Sequence, residues 1–191
     1  MRKCIILENK TRCSWANQNE MIKKYHDMEW GSPCHDNRKL FELLSLEVFQ
    51  SGLNWNLILK KRNAFKKAFD NFNPNIVCNY NSSKINKLLK NKEIIRNRRK
   101  IVAIINNAKI IESLTCSLND YFWSFVNFKT IKHNYKGYHD IPAKTELSKK
   151  ISYQMKKDGF KFTGPVTIES FIQSIGIVND HETSCFKYNS Y

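Results

Sequence analysis

A glutamate within an apolar helical stripe is the residue whose type and position first suggest chemistry. Residues 40–50 have helical spacing, and one side of that helix carries Glu47 together with Leu40, Leu43, Leu44 and Ser51. Glu42 points away from that side. A carboxylate among apolar side chains costs several kcal/mol unless it is paired or used. Glu47 is therefore either a structural hydrogen-bond partner or a functional group, and periodicity alone favours the structural interpretation.

Trp55 follows the turn at Gly52 and Leu53, close to the end of the same helix. A carboxylate beside an aromatic ring suits a planar, electron-poor ligand, which it can hold by stacking and hydrogen bonding. Taken alone, Trp55 is more typical of a core aromatic residue. Together with Glu47 it suggests a recognition pocket for such a ligand.

Two cysteines and two histidines form a second candidate set, drawn from both ends of the chain: Cys13, His26, His181 and Cys185. His181 and Cys185 are four residues apart, so one helical turn would bring them to the same side. Two thiolates and two imidazoles make the closed tetrahedral set of a structural zinc site. The spacing is not that of a zinc finger, and isolated residues of these types are often packing groups. If present, the metal joins both ends of the chain and contributes to stability.

A basic segment at residues 84–111 is the third candidate. Two short amphipathic helices are separated there by a tight break, and the second begins in a cluster of cations at Arg96, Arg98, Arg99 and Lys100. A helix N-terminus attracts anions through its free N–H groups and its dipole. This is how a helix–hairpin–helix binds a DNA phosphate without reading sequence. The alternative is a solvated basic face.

Composition favours a nucleic-acid partner. The 191 residues include 32 Lys and Arg against 17 Asp and Glu, a formal net charge of +15. An AT-rich genome also produces Lys- and Asn-rich proteins, but that bias does not explain an arginine cluster. We therefore expect a polyanion, most commonly nucleic acid, to bind this chain.

The same composition indicates a folded protein inside the cell. A hydrophobic fraction of 41% with 13% aromatic residues indicates a core, in one domain or two small lobes. No apolar stretch approaches the roughly 18 residues of a membrane span, and the start has no secretory pattern. We expect an intracellular location, in the cytoplasm or in a eukaryotic nucleus. The six cysteines are then expected as metal ligands or buried thiols rather than disulfides.

Helical periodicity recurs along the chain and strand patterns are scarce, which predicts an all-α fold of about seven to nine helices. Asp36 is the expected cap of the helix that carries Glu47, and Ser82 or Ser83 that of a short helix. A later helix has a stripe of Ile101, Ile104, Ile105, Ala108 and Ile111. Residues 128–142 are expected to form a loop. The helix that carries Glu47 is predicted at residues 38–50, and further helices at residues 56–70, 144–157 and 166–175.

Eight segments occur in an order that resembles one known family. They are residues 13–15 (CSW), 25–31 (YHDMEWG), 40–47 (LFELLSLE), 50–55 (QSGLNW), 94–101 (IIRNRRKI), 122–127 (FWSFVN), 159–165 (GFKFTGP) and 178–181 (VNDH). Together they resemble the DNA-3-methyladenine glycosylase I family of the helix–hairpin–helix superfamily. The resemblance covers residues 13–185.

The resemblance implies an all-α DNA glycosylase fold, in which a zinc site ties the N- and C-terminal segments together. Residues 1–56 with 158–191 would form the zinc-bearing lobe, and residues 57–157 the helix–hairpin–helix lobe. The family's zinc ligands fall on the four cysteines and histidines named above. Its base-pocket and catalytic glutamate falls on Glu47, and its stacking aromatic residues fall on Trp55 and Tyr25. The cluster from Arg96 to Lys100 would contact the DNA backbone.

Four positions depart from the family pattern. Ile22 stands where the family usually has a tyrosine, which removes one aromatic surface from the base pocket. Glu93 replaces the hairpin glycine, which predicts strain there, and Asn91 replaces an acidic residue. Ser14 replaces a glycine.

The implied function is base-excision repair of double-stranded DNA. The chain would hydrolyse the N-glycosidic bond of 3-methyladenine after base flipping, as a monomer and without strand cleavage, because nothing marks a lysine nucleophile. The main alternative is a non-catalytic protein that binds damaged DNA on the same scaffold, which the departures at Ile22 and Glu93 would favour. A zinc-dependent scaffold is a third possibility, which leaves Glu47 and the arginines unexplained.

Overall fold

The computed structural model describes residues 10–190, so Cys4 and the first nine residues of the predicted zinc-bearing lobe lie outside the described residues, as does residue 191. Residues 10–190 form nine α-helices: α1 Glu20–Met28, α2 Asn37–Gln50, α3 Trp55–Ala68, α4 Pro74–Val77, α5 Ser82–Lys90, α6 Arg98–Ser113, α7 Leu118–Trp123, α8 Glu146–Lys157 and α9 Pro165–Ser174. Short 3-10 turns lie at Ser14–Gln18, Asp70–Phe72, Ser124–Val126 and Tyr138–Asp140. The mostly helical fold is confirmed.

Asparagine side chains begin many of the helices. The side-chain oxygens of Asn19, Asn54, Asn73, Asn81 and Asn97 each accept a backbone N–H in the first turn of the helix that follows. An N-cap of this kind satisfies one of the unpaired donors at a helix start. Asn81 therefore caps α5, and the predicted Ser82 or Ser83 cap is wrong. Asp36 caps α2 as predicted, through Lys39 N.

Helix α2 is the centre of the core. Every residue from Leu40 to Phe49 is buried, because α3, α6, α7 and α9 all pack against this helix. The predicted single apolar stripe therefore underestimates its burial, and Glu42 is enclosed as well as Glu47. In α6 the predicted stripe is buried as far as Ala108, and Ile111 is half-buried.

The predicted loop at residues 128–142 contains a two-residue strand that the sequence did not indicate. Strand β1, Ile131–Lys132, pairs in parallel with β2, Val178–Asn179. Ile131 N donates to Ile177 O at 2.9 Å, and His133 N donates to Asn179 O at 3.1 Å. The pairing attaches this segment to the C-terminal part of the chain and places His133 beside Asp180.

Within residues 10–190, no single helix has the length and apolar composition needed to cross a membrane. Helix α6 and Leu118–Val126 meet that test only as a pair, with a bend of 94° between them.

Gly176 ends α9 in a left-handed conformation, with φ of +74°. A β-carbon at this position would lie 2.5 Å from Pro33 N and 2.6 Å from the carbonyl carbon of Ser32. The close approach of two backbone segments therefore requires glycine here, in addition to the backbone conformation.

We predict that Gly176→Ala lowers the free energy of unfolding by roughly 3 kcal/mol, because backbone strain and a backbone clash combine. In a chain of this length the melting temperature should fall by roughly 6–12 °C, measured by circular dichroism. Gly52→Ala is the control, because Gly52 has φ of +76° but no atom within 4 Å of the added β-carbon. That variant should lose only roughly 1 kcal/mol. Equal losses would contradict the role of the close approach.

Candidate functional site

The acids in and beside the core differ in whether a countercharge faces them. Arg62 donates to Glu29 from both terminal nitrogens, at 2.7 and 2.8 Å, and from Nε to Glu42 Oε1 at 2.7 Å. Glu47 lies outside this network. It is 3% exposed, and its Oε2 accepts no hydrogen bond from residues 10–190. Desolvation by burial raises the pKa of Glu47 to about 8.

Glu47 faces a cavity of about 540 Å³, a size typical of small-ligand sites. Tyr25 of α1 and Trp55, the first residue of α3, also line it, with their ring centroids 5.3 Å apart and their planes at 52°. Burial, with the nearby charge of Glu47, raises the pKa of Tyr25 well above its usual value. Ile22 forms part of the same wall. The structure thus brings the three predicted pocket residues together, with an aliphatic surface at Ile22.

Sequence reasoning missed several residues that line this cavity, among them Trp15, Trp30, Gln50, Tyr138, His139 and Gln173. The two tryptophans and Gln50 lie within the segments that carried the family resemblance, so a signal for them existed. Tyr138, His139 and Gln173 reach the cavity through tertiary contacts of distant segments. No local pattern in the sequence indicates that placement.

The four predicted metal ligands form one buried cluster. Their ligand atoms all lie within 4.8 Å of one another and could hold a metal ion. Cys13 Sγ is 3.4 Å from His181 Nδ1, and Cys185 Sγ is 3.5 Å from His26 Nε2. The segment from His181 to Cys185 is a turn, closed by Cys185 N donating to Glu182 O, and not the predicted helical turn.

Hydrogen bonds around the cluster orient its ligands. His26 Nδ1 is 2.9 Å from Asp27 Oδ1, so its Nε2 faces the sulfurs. Asp27 is in turn held by Arg12 at 2.8 Å. A carboxylate behind a ligating histidine is the usual arrangement in metal sites. The hydrogen bond from Cys13 lowers the pKa of the Cys185 thiol, which favours a thiolate.

The cluster of cysteines and histidines and the cavity share an aromatic wall. Trp30 stacks on His26, with centroids 6.2 Å apart, and lies perpendicular to His181 at 4.7 Å. Trp15 contacts Trp30 edge-on at 4.9 Å, and both tryptophans line the cavity. The contacts of the cluster's histidines with these tryptophans therefore hold one side of the cavity in place.

The basic cluster divides into exposed and buried members. Arg96, Arg98 and Arg99 are exposed at the start of α6. Lys100 is buried, and its ammonium group donates to Phe49 O at 2.7 Å and to Ser51 O at 2.6 Å. The prediction that Lys100 contacts the DNA backbone is therefore wrong, because its charge binds the carbonyls at the end of α2.

The loop at residues 91–97 is not strained at Glu93. Among the described residues that have positive φ, none lies in this loop. Asn91 Oδ1 accepts from Glu93 N at 2.9 Å, and Lys61 donates to Glu93 O at 2.8 Å and to Lys92 O at 3.3 Å. The predicted strain is therefore wrong, because an asparagine turn held by Lys61 does not need the glycine conformation.

A helical scaffold that places a buried acid and two mutually tilted aromatic rings at a base-sized cavity is typical of the class of DNA glycosylases. The family model described as methyladenine glycosylase matches residues 15–188. The chain belongs to this family, whose members are hydrolases that act on N-glycosyl bonds.

Relatives and solved structures agree with that assignment. The chain is 40% identical over 178 residues to the DNA-3-methyladenine glycosylase of Haemophilus influenzae, covering 92% of this chain and 96% of the relative. It is 39% identical over 180 residues to DNA-3-methyladenine glycosylase 1 of Escherichia coli, covering 93% and 96%. A Staphylococcus aureus structure on 3-methyladenine recognition by glycosylase I is 33% identical, with a TM-score of 0.89 over 94% of this chain and 97% of that chain.

We predict that Cys185→Ser removes the bound metal and lowers stability together. At a free metal concentration of about 1,000 times Kd, binding contributes about 4 kcal/mol, so the melting temperature should fall by roughly 8–16 °C. Elemental analysis and calorimetry measure the two effects. Cys116→Ser is the matched control, because Cys116 is an exposed free thiol outside the cluster. If metal-free wild-type protein were as stable as the metal-loaded protein, a structural metal would be excluded.

Proposed function

We propose that this chain excises 3-methyladenine from alkylated double-stranded DNA as a monofunctional glycosylase. The observation that carries the proposal is the enclosed Glu47 carboxyl, which faces an aromatic cavity and receives no hydrogen bond at Oε2 from the described residues. Methylation at N3 makes the base cationic, so it leaves as a neutral molecule when the bond to the sugar breaks. A water molecule attacks the sugar carbon, since the residues that line the described cavity include no lysine.

Glu47 favours the damaged base through its charge. In the empty site at neutral pH the carboxyl is mostly protonated, because its pKa is about 8. A cationic base stabilises the carboxylate in this low-dielectric space, whereas intact adenine is neutral and does not. Tyr25 and Trp55 hold the base by stacking. At neutral pH, selectivity thus comes from a charge that forms mainly when the lesion is bound.

The exposed arginines at the start of α6 supply the DNA contact in this proposal. Arg96, Arg98 and Arg99 surround a helix N-terminus, and Lys61 fixes the preceding loop. Helices α5 and α6 with residues 91–97 would then act as a helix–hairpin–helix that binds phosphate without base readout. The net charge of +15 supports a polyanionic partner.

Zinc is the metal that the cluster fits best. Tetrahedral geometry, with zinc–sulfur distances of about 2.3 Å and zinc–nitrogen distances of about 2.0–2.1 Å, separates sulfur and nitrogen ligands by about 3.5 Å. Three of the four sulfur–nitrogen pairs among Cys13, His26, His181 and Cys185 lie at 3.4, 3.5 and 3.6 Å. Four protein ligands leave no open position, so the ion would be structural.

The remaining parts of the proposal follow from the substrate and the scaffold. The monomeric state stays a prediction. A genomic DNA substrate implies an intracellular location, in the cytoplasm or a nucleus. The division into residues 1–56 with 158–191 and residues 57–157 stays a prediction. The alternative of a non-catalytic DNA-binding protein loses support at Glu93, whose loop is unstrained.

We predict that kcat/KM for 3-methyladenine release rises as pH increases and levels off above about 8, because the carboxylate form of Glu47 binds the cation. Glu47→Gln should lower kcat/KM by at least roughly 100-fold and remove this pH dependence. Released base is measured chromatographically from methylated DNA. Glu169→Gln is the control, since Glu169 is a buried acid outside the cavity lining.

The same pKa has a consequence for stability that tests the carboxyl without substrate. Because the pKa of Glu47 is higher in the folded protein than in the unfolded chain, this group adds to the free energy of unfolding at low pH. That contribution is fully present below the unfolded pKa of Glu and is lost as pH rises towards about 8. Glu47→Gln should therefore stabilise the protein relative to wild type, increasingly so across that interval. Full activity of Glu47→Gln, or identical pH profiles of the two proteins, would refute the role of this charge.

We predict that Trp55→Ala weakens binding of free 3-methyladenine by roughly 1–3 kcal/mol, the usual contribution of an aromatic–base stack. Isothermal titration calorimetry measures the change. Trp55→Phe retains a stacking ring and should recover most of the affinity. Equal affinity of wild type and Trp55→Ala would show that the ring does not stack on the base.

A further inference from the structure

Gln173, near the end of α9, links the cavity to a buried carboxylate. Its Nε2 donates to Asp180 Oδ2 at 2.8 Å, and the residue lines the cavity that Glu47 faces. An ionised carboxylate only accepts hydrogen bonds, so this contact fixes which end of the amide faces Asp180. The amide oxygen must then point away from Asp180.

The amide oxygen of Gln173 is available to a ligand. It accepts no hydrogen bond from the part of the chain that the structure describes, and it is not among the enclosed oxygen atoms without a partner. Gln173 itself is only partly buried. A fixed, accessible acceptor on a cavity wall can bind an N–H group of whatever occupies the cavity.

Asp180 is held by the strand pairing at the C-terminal end of the fold. The parallel register of β1 with β2 continues to bring His133 opposite Asp180, and His133 Nδ1 lies 2.6 Å from Asp180 Oδ1. Asp180 is 1% exposed, so both of its oxygens are committed to protein partners. The orientation of Gln173 is therefore built into the fold, not left to solvent.

We propose that Gln173 is a second polar base-recognition residue, whose oxygen accepts a hydrogen bond from an N–H of the bound purine, and that Asp180 positions it. This rests on the proposed glycosylase function. Glu47 supplies an acceptor from α2, and Gln173 supplies one from α9. Two acceptors from different helices favour a purine that presents N–H groups, and a base offering an acceptor at Gln173 would be rejected.

Gln173→Met tests the proposal, because methionine keeps the length and loses the acceptor. The affinity for free 3-methyladenine should fall roughly 3- to 10-fold, and kcat/KM on methylated DNA by a similar factor. Gln154→Met is the matched control. Gln154 Nε2 also donates to an aspartate, Asp158 Oδ1, at 2.8 Å, but Gln154 is not part of the cavity lining. That variant should bind and excise the base as wild type does.

Variants of Asp180 test the positioning separately. Asp180→Asn retains an oxygen that can accept from Gln173 and should keep affinity within 2-fold of wild type. Asp180→Leu should lose affinity as Gln173→Met does, with melting temperature and bound metal followed in parallel. The effect of each Asp180 variant is read from the Kd for 3-methyladenine at unchanged metal content. A purely structural role of Asp180 would not change that Kd.

The outcomes separate this inference from the proposed function. If wild type binds and releases 3-methyladenine and Gln173→Met does so equally within 2-fold, the inference is overturned and the glycosylase function stands. If wild type neither binds nor releases the base, the proposed function fails and the inference fails with it. A loss of affinity in Gln173→Met that is absent from Gln154→Met supports both.

Discussion

The constraint on which this structure depends is the burial of the Glu47 carboxyl, at the cavity, without a countercharge. Arg62 compensates Glu29 and Glu42 within the same core, whereas desolvation raises the pKa of Glu47 to about 8. A carboxyl in that state costs stability to the empty protein and is most favourable when a cation enters beside it. A positively charged ligand therefore gains binding energy by pairing with this carboxylate. The packing of the surrounding helices must offset the stability that the unliganded protein loses.

The fold meets that demand by enclosing α2 on all sides and by bracing the cavity from both ends of the chain. Trp15 and Trp30 line the cavity while they pack on His26 and His181 of the metal cluster. A metal held by this cluster would fix the positions of these rings, which are not themselves ligands. The same ring contacts thus stabilise the two ends of the chain and shape the cavity.

Residue type and spacing identified the parts of the site that local patterns encode. The apolar period of its helix marked Glu47 as a buried carboxylate, and the resemblance supplied its functional role. Helices α2, α3, α8 and α9 were placed within about two residues of the structure. The resemblance identified Tyr25 and the ligand set. Gln173 and Tyr138 were missed, because strand pairing and helix packing bring them to the cavity. Helices α1, α4 and α7 were missed, because helices of nine residues or fewer give little periodic signal.

Lys100, wrongly assigned to the DNA backbone, connects the start of α6 to the end of α2. Charge patterning cannot distinguish a lysine on the surface from one whose ammonium group lies within the fold. Here Lys100 begins α6 beside the exposed arginines, yet it donates to Phe49 O and Ser51 O at the end of α2. A cation at a helix C-terminus stabilises that end. It also joins the start of α6 to the turn between Glu47 and Trp55, so the exposed arginines and the cavity are held in a fixed spatial relation.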